Sequence, residues 1–289
     1  MKKTLRLIII TLACFFYLNG YGQFYNGHQM KFGKNRVQYY DYYWTFYRFD
    51  DFDVYFNEFG RDLAEFTADY VTDKLEEIED FFDYSLEKRL IFIIHNKNAE
   101  YKQSNIGLVT FDDDNYNTGG YSRLITNKIS LFYEEDHIAF KKQIATAITE
   151  VLVNEMLYNA EIKERVSSSS MINLPDWYIK GLANYVGWGW DFDVENRVKD
   201  GIMSGKYKNI TNLEYEDAIY AGQSFWRYIG NEYGDALIPN IIYLTKVYRK
   251  IDDGILYVVG KKLKELLAEW QIYYLNEYSG EKSLLATDK

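Results

Sequence analysis

The segment that decides the fold is Ile138–Ala160, with the sequence IAFKKQIATAITEVLVNEMLYNA. Five of its residues recur at steps of four, three, four and three, which places them on one face of a helix: Ile144, Ile148, Val151, Glu155 and Tyr158. The lysines, threonines and Glu150 fall mostly on other faces. Glu155 therefore lies on the line expected to be buried, where a carboxylate needs an ion-pair partner, a hydrogen-bond donor or a metal. The alternative is a helix end at which Glu155 turns out into water.

A second segment, Leu174–Tyr185, reads LPDWYIKGLANY. Together with NEMLY at Asn154–Tyr158, it resembles the gluzincin group of metallopeptidases, in particular the peptidase-MA-like domains. In that group one helix carries His-Glu-x-x-His, and a later helix reads roughly Pro-x-Trp-x-x-Glu-Gly-x-Ala-x-Tyr, with its Glu as the third zinc ligand. The matching residues are Glu155, Pro175, Trp177, Gly181, Ala183 and Tyr185. The resemblance extends from about residue 31 to residue 280 and includes Ala221–Phe225.

Three positions that hold the zinc ligands in the family carry other residues here. Asn154 and Tyr158 stand at the two His positions, and Lys180 stands at the Glu position. Protein zinc sites use imidazole, thiolate or carboxylate ligands, and an ammonium ion has no lone pair to donate. Without zinc, no group lowers the pKa of the attacking water, and Glu155 as a lone general base would supply only about 10²–10⁴ in rate. The resemblance implies the fold, but these residues predict a pseudopeptidase with no catalytic residue, metal or cofactor.

The same two segments suggest a contact inside the altered site. Glu155 and Lys180 are both expected to point into the pocket that holds zinc in the family. We therefore predict an ion pair between them. In the alternative, the Lys180 stem packs on Trp177 and its ammonium group reaches solvent.

The pattern along the chain predicts an α+β, zincin-like fold. The N-terminal part, residues 23–135, has short strands predicted at 42–49, 52–56, 90–94 and 128–133, with an amphipathic helix at 60–82. Residues 136–280 form a mainly helical part that contains both motif segments, and 281–289 are a tail. Later helices are predicted at 192–204, 217–233, 236–249 and 255–278, with breaks at Gly234 and Gly254.

Residues 1–22 are typical of a secretory signal peptide, because three basic residues precede the apolar run Leu7–Leu18 and the small-x-small site Gly20–Gly22. Cleavage is expected before Gln23. Lipidation at Cys14 is the alternative reading of the same segment. We therefore expect an exported chain in the periplasm or at the outer membrane, with no transmembrane segment in its mature form.

Charge narrows the classes of partner. The whole chain has 33 basic and 43 acidic residues, a net charge of −10. Removal of the three basic residues of the signal gives a mature net charge of −13, which argues against nucleic acid and against an anionic membrane surface. The acidic run Asp112–Asn115 does not fit a calcium-binding EF-hand, because no register supplies both the required Gly and the final Glu.

Three functions follow from these observations. The first is a protein-binding subunit of a cell-envelope assembly, as implied by similar domains in exported Bacteroidota proteins. In that family the strand before the first motif helix binds extended peptides, and here its residues are Lys128, Ile129, Ser130, Leu131 and Phe132. Backbone pairing survives the loss of zinc, and Ile129→Pro is the variant expected to abolish it.

The other two functions belong to different classes. A hydrolase would use Glu155 with Glu150 or His137 as further groups. A glycan-binding module would use Trp188 and Trp190 as a stacking platform, although packing in the core explains the same two side chains.

Overall fold

The computed structural model describes Tyr39 and residues 41–103, 127–158 and 174–287, with side chains as far as residue 279. These residues form a small mixed sheet followed by a mainly helical part, which confirms the predicted α+β class. The predicted signal peptide, with Cys14, and the acidic run Asp112–Asn115 lie outside the described residues.

The sheet has four strands in the order β1-β2-β3-β4. They are β1 (Thr45–Arg48), β2 (Phe52–Phe56), β3 (Leu90–His95) and β4 (Lys128–Phe132). The first pair is an antiparallel hairpin, and the pairs β2–β3 and β3–β4 are parallel. Aromatic and β-branched residues fill the two inner strands, as expected for strands covered on both faces. β1 is shorter than the predicted strand at 42–49.

Nine α-helices lie in the described part of the chain. They are α1 (Arg61–Phe82), α2 (Asn98–Tyr101), α3 (His137–Tyr158), α4 (Asp176–Gly187), α5 (Phe192–Met203), α6 (Tyr215–Tyr233), α7 (Ile238–Tyr248), α8 (Ile251–Val259) and α9 (Leu263–Thr287). Short 3₁₀ turns join some of them at Lys206–Lys208, Ile210–Asn212 and Asp235–Leu237. Within these residues, no helix combines the length and the hydropathy needed to cross a lipid bilayer.

The segment that opened the sequence analysis, α3, lies at the centre of the molecule. It packs against α1, α4, α7 and β4. The prediction that its threonines lie off the buried face is wrong, because Thr146 and Thr149 are fully buried. Each hydroxyl donates to a carbonyl one turn earlier, Thr146 to Lys142 (2.7 Å) and Thr149 to Ala145 (3.0 Å). These bonds satisfy the hydroxyls inside the core.

The predicted helix break at Gly254 is also wrong. This glycine lies inside α8, and the chain breaks instead at Arg249, in the left-handed conformation with φ +57°, and at Gly260. Gly254 has a packing role, because a Cβ atom there would come 2.7 Å from the backbone nitrogen of Thr245 on α7. The break predicted at Gly234 is present, between α6 and the turn that leads into α7.

Candidate functional site

The two motif helices lie side by side. A Cβ atom on Gly187, at the end of α4, would come 2.7 Å from the Ala145 carbonyl oxygen near the beginning of α3. Further along, Lys180 lies close enough to Glu150 for its charge to influence that carboxyl. The helices therefore run antiparallel, and the second half of α3 faces the first half of α4.

Lys180 is bound within its own helix. Its Nζ atom donates to Asp176 Oδ2 at 2.7 Å, one turn earlier in α4. Burial raises the pKa of the facing Glu150 carboxyl to about 7; the positive charge of Lys180 opposes this rise, and Asp176 adds to it. The Lys180 ammonium group is thus near two carboxyl groups, that of Asp176 on its own helix and that of Glu150 on α3, and the Lys180–Asp176 pair is partly exposed.

Glu155 has different partners. It is buried, and its Oε1 atom accepts a hydrogen bond from the backbone N–H of Glu87 (2.9 Å) and one from the Tyr84 hydroxyl (3.2 Å). Both donors belong to the segment that follows α1. Burial is the main cause that raises the pKa of Tyr84 to about 12, and the Glu155 charge adds to it.

The predicted ion pair between Glu155 and Lys180 is wrong. No ion pair joins them within the described residues, and Lys180 binds Asp176 instead. Helix geometry explains the error: at about 100° per residue, Glu155 projects about 140° away from Glu150, which faces α4. Glu155 therefore points towards the segment after α1, on the other side of α3 from Lys180.

The remaining altered positions hold no metal-binding group either. Asn154 donates from Nδ2 to the Glu150 carbonyl at 2.8 Å. Tyr158 is half-buried, and burial raises the pKa of its phenol. An amide, a neutral phenol and an ammonium ion do not fit the ligand set of zinc. In the described parts of the chain, no three His, Cys, Asp or Glu side chains lie close enough together to hold a metal ion.

The two histidines in the described part of the chain, His95 and His137, do not complete a catalytic set. His137 Nδ1 lies 2.9 Å from the Tyr133 hydroxyl at the beginning of α3. At about 1.5 Å per residue, the 18 residues from His137 to Glu155 correspond to about 27 Å along the helix. His95 is buried at the end of β3, and burial lowers its pKa to about 4. His137 and Glu155 therefore belong to different regions of the molecule.

β4 is an outer strand of the sheet and pairs with β3 alone among the described strands. The first bond of this ladder runs from the Ile91 N–H to the Asn127 carbonyl (2.8 Å), and the last from the Tyr133 N–H to the His95 carbonyl (3.2 Å). In a parallel pair, successive residues direct their backbone groups to alternate sides. These two bonds therefore fix which residues of β4 face β3.

By this alternation, the backbone N–H and carbonyl groups of Ile129 and Leu131 point to β3. Those of the even-numbered residues of β4 point away from β3, to what we call the open side. The Phe132 carbonyl agrees with this assignment, since it accepts from Gln143 Nε2 at 3.1 Å instead of from β3. Ser130, in the middle of the strand, directs both its N–H and its carbonyl to the open side. The open side faces no described strand, but Ser130 is only 4% exposed and Ile129, Leu131 and Phe132 are also buried, so an extended peptide could pair with this edge only if that side became accessible.

The two tryptophans of the proposed glycan platform make internal contacts. Trp188 Nε1 donates to Asp191 Oδ2 at 2.6 Å, and the Lys142 ammonium lies 5.8 Å from its ring centroid. The Trp190 ring lies 4.2 Å from the Arg227 guanidinium carbon and stacks on Tyr274. Both side chains are half-buried, and these contacts favour the packing explanation.

The structure reveals two residues that the sequence analysis did not use, Asp176 as the partner of Lys180 and Tyr84 as the partner of Glu155, and it places Glu150, a candidate of the hydrolase alternative, beside Lys180. The four-residue spacing of Asp176 and Lys180 on one helix is a sequence pattern that predicts their ion pair. Tyr84 lies 71 residues before Glu155, so no local pattern connects them.

No protein-family model matches the chain, and no curated protein matches it. The resemblance to the gluzincins thus rests on the motif residues alone.

Proposed function

We propose that the chain is an exported, non-catalytic, gluzincin-like domain that binds a protein partner in a cell-envelope assembly. The observation that carries the proposal is the ammonium group of Lys180, held 2.7 Å from Asp176 and facing Glu150. Under the resemblance, this residue stands at the position of the third zinc ligand. A fixed positive charge there opposes the binding of a metal cation.

The buried carboxylate of the motif supports the same proposal. A general base must be within reach of the proton that it abstracts. Glu155 instead accepts from Glu87 and Tyr84, and these bonds join α3 to the segment after α1. Its role in the proposal is therefore structural.

The open side of β4 is the proposed contact for the partner, and the proposal requires that Ser130, which is 4% exposed, becomes accessible on binding. Ser130→Pro removes an N–H that faces the open side, and proline is tolerated on edge strands where its missing N–H is not part of the ladder. Ile129→Pro, suggested by the sequence, is unsuitable, because the Ile129 N–H faces β3 and the substitution would damage the sheet itself.

A pull-down from a cell-envelope fraction tests this contact. The mature chain is the bait, and Ser130→Pro is compared with Phe192→Ser, which changes an exposed aromatic side chain on α5 far along the chain. We expect Ser130→Pro to lose the captured partner while it keeps its thermal unfolding transition, and Phe192→Ser to keep both. Capture of the same partner by folded Ser130→Pro would show that strand pairing at β4 is not the mode of binding.

A further inference from the structure

The helical hairpin α7–α8 presents an exposed surface that the proposed function does not use. We call residues 243–264 the basic hairpin. Its exposed apolar and aromatic side chains are Tyr243, Val247, Tyr248 and Tyr257. The rings of Tyr248 and Tyr257 stack across the hairpin with their centroids 4.6 Å apart. Tyrosines of this kind combine apolar area with a hydroxyl donor, a combination enriched at protein interfaces.

The charge of this surface is opposite to that of the chain. The basic hairpin contains six basic and two acidic residues, a net charge of +4, whereas the whole chain has a net charge of −10. Arg249 and Lys250 are exposed between the two helices and form no ion pair within the described residues. The surface therefore offers the guanidinium of Arg249 and the ammonium of Lys250 as donors, whereas Lys261 is paired with Glu269 at 2.7 Å.

The hairpin is also held rigidly. The close approach of Gly254 to Thr245 leaves no room for a side chain between the helices. The Thr245 hydroxyl lies 2.8 Å from the buried Tyr178 hydroxyl, which joins the hairpin to α4. Because the backbone that carries the donors is preformed, mainly their side chains lose conformational entropy when a partner binds.

The complementary surface lies on α1 of the same chain. Residues 61–83 contain nine acidic and two basic residues, a net charge of −7. Six exposed carboxylates follow one line of this helix at steps of three, four, four, three and four, and we call them the carboxylate stripe: Asp62, Glu65, Asp69, Asp73, Glu76 and Asp80. The stripe is about 27 Å long.

Most of the carboxylate stripe has no cationic partner in the described residues. Within the described residues, only Glu65 has an ion pair, with Arg61 at 3.3 Å. Like charges at three- and four-residue spacing destabilise a helix, so a cationic partner would relieve the repulsion along α1. No described ion pair joins the stripe to the basic hairpin of the same molecule.

We propose that the basic hairpin of one chain docks on the carboxylate stripe of a second copy. The assignment to a second copy rests on charge complementarity between two surfaces that every chain carries together. Because the two surfaces are different, the contact is head-to-tail, and each chain can both donate and accept one. Exposed ion pairs are individually weak and are screened by salt, so the association is reversible and favoured at low ionic strength.

Sedimentation velocity of the mature chain tests the proposal. At about 100 µM protein and about 20 mM salt, where the Debye length is about 20 Å, we expect species larger than the monomer. At about 500 mM salt, with a Debye length of a few Å, we expect the monomer alone. A monomer at every salt concentration would overturn the proposal.

Charge reversal identifies the two surfaces. The hairpin variant is Arg249→Glu with Lys250→Glu, and the stripe variant is Asp73→Lys with Glu76→Lys. We expect each to weaken self-association at least about tenfold, as loss of two complementary charges does at electrostatic interfaces. The control Lys97→Glu with Lys208→Glu changes the net charge as much as the hairpin variant does, at two exposed positions outside both surfaces. It should still associate.

A mixture of the two variants gives the sharpest result. The stripe variant keeps a native hairpin and the hairpin variant keeps a native stripe, so a 1:1 complex should form although each variant alone is monomeric. Thermal unfolding of each variant verifies that it is folded. Self-association that persists in both folded variants, or a mixture that stays monomeric, would contradict the proposed contact.

Discussion

The Nζ atom of Lys180 lies 2.7 Å from Oδ2 of Asp176, one turn earlier on α4. This pair explains how a lysine can stand between the motif helices beside the Glu150 carboxyl. Its charge is partly neutralised within its own helix, so α3 does not have to supply the counter-ion. Glu155 is then free to bind Glu87 and Tyr84 on the other side of α3.

Glu150 is expected to make the stability of the chain depend on pH. Burial raises its pKa from 4.5 to about 7 in the folded state. Its contribution to stability is therefore fully present below about pH 4.5 and is lost as the pH rises through about 7. Glu150→Gln removes this partly buried charge, and it should raise the free energy of unfolding at pH 8 by about 1–3 kcal/mol.

Urea unfolding of Glu150→Gln between pH 5 and pH 8 measures this effect. The control is Glu58→Gln, which changes an exposed carboxylate and should follow the wild-type curve. An unchanged stability difference between Glu150→Gln and the wild type across this range would show that Glu150 is ionised normally in the folded chain.

His95 acts in the opposite direction. Burial lowers its pKa from 6.5 to about 4. The neutral imidazole therefore contributes stability that is present above about pH 6.5 and is lost as the pH falls through about 4. His95→Phe should reduce the acid-induced loss of stability by about 1–3 kcal/mol between pH 6.5 and pH 4. His137→Phe, at an exposed site, is the comparison; an equal change in both variants would count against His95 as the acid-sensitive group.

Glu155 is expected to stabilise the fold through its two hydrogen bonds. Tyr84→Phe removes one donor and should cost about 1–2 kcal/mol, since the acceptor is charged. Glu155→Ala leaves the Glu87 N–H without its acceptor and should cost about 2–4 kcal/mol. A double-mutant cycle by urea unfolding should give a coupling energy of about 1 kcal/mol between Tyr84 and Glu155. If the stability losses of the two single variants simply add in the double variant, the hydrogen bond between Tyr84 and Glu155 does not contribute to stability.

The fold was predictable where periodicity is strong. The apolar stretch at 90–94 and the amphipathic pattern at 60–82 correspond to β3 and α1 almost residue for residue. The threonines of α3 and the break at Gly254 were predicted wrongly for a common reason. Whether a hydroxyl is buried, and whether a glycine packs closely against another helix, depends on the neighbouring helix. The polarity of the local sequence carries no information about that neighbour.

The candidate site was predictable only in part. The motif segments do pack as adjacent helices. The direction in which Glu155 points, however, depends on how α3 is oriented about its own axis. A buried helix with apolar residues on every side gives no sequence signal for that rotation. The donors to Glu155 lie 68 and 71 residues away along the chain, which places them beyond any local pattern.

The central claim is that zinc has no site between α3 and α4. The direct measurement is the zinc content of residues 23–289, purified without chelators, together with thermal unfolding after zinc is added. The companion variant Asn154→His with Tyr158→His and Lys180→Glu supplies the ligand types of the gluzincin motif that the sequence resembles. We predict no stoichiometric zinc and no stabilisation for the native sequence, and stabilisation of the variant that grows with the zinc concentration. One tightly bound zinc per native chain would contradict the account.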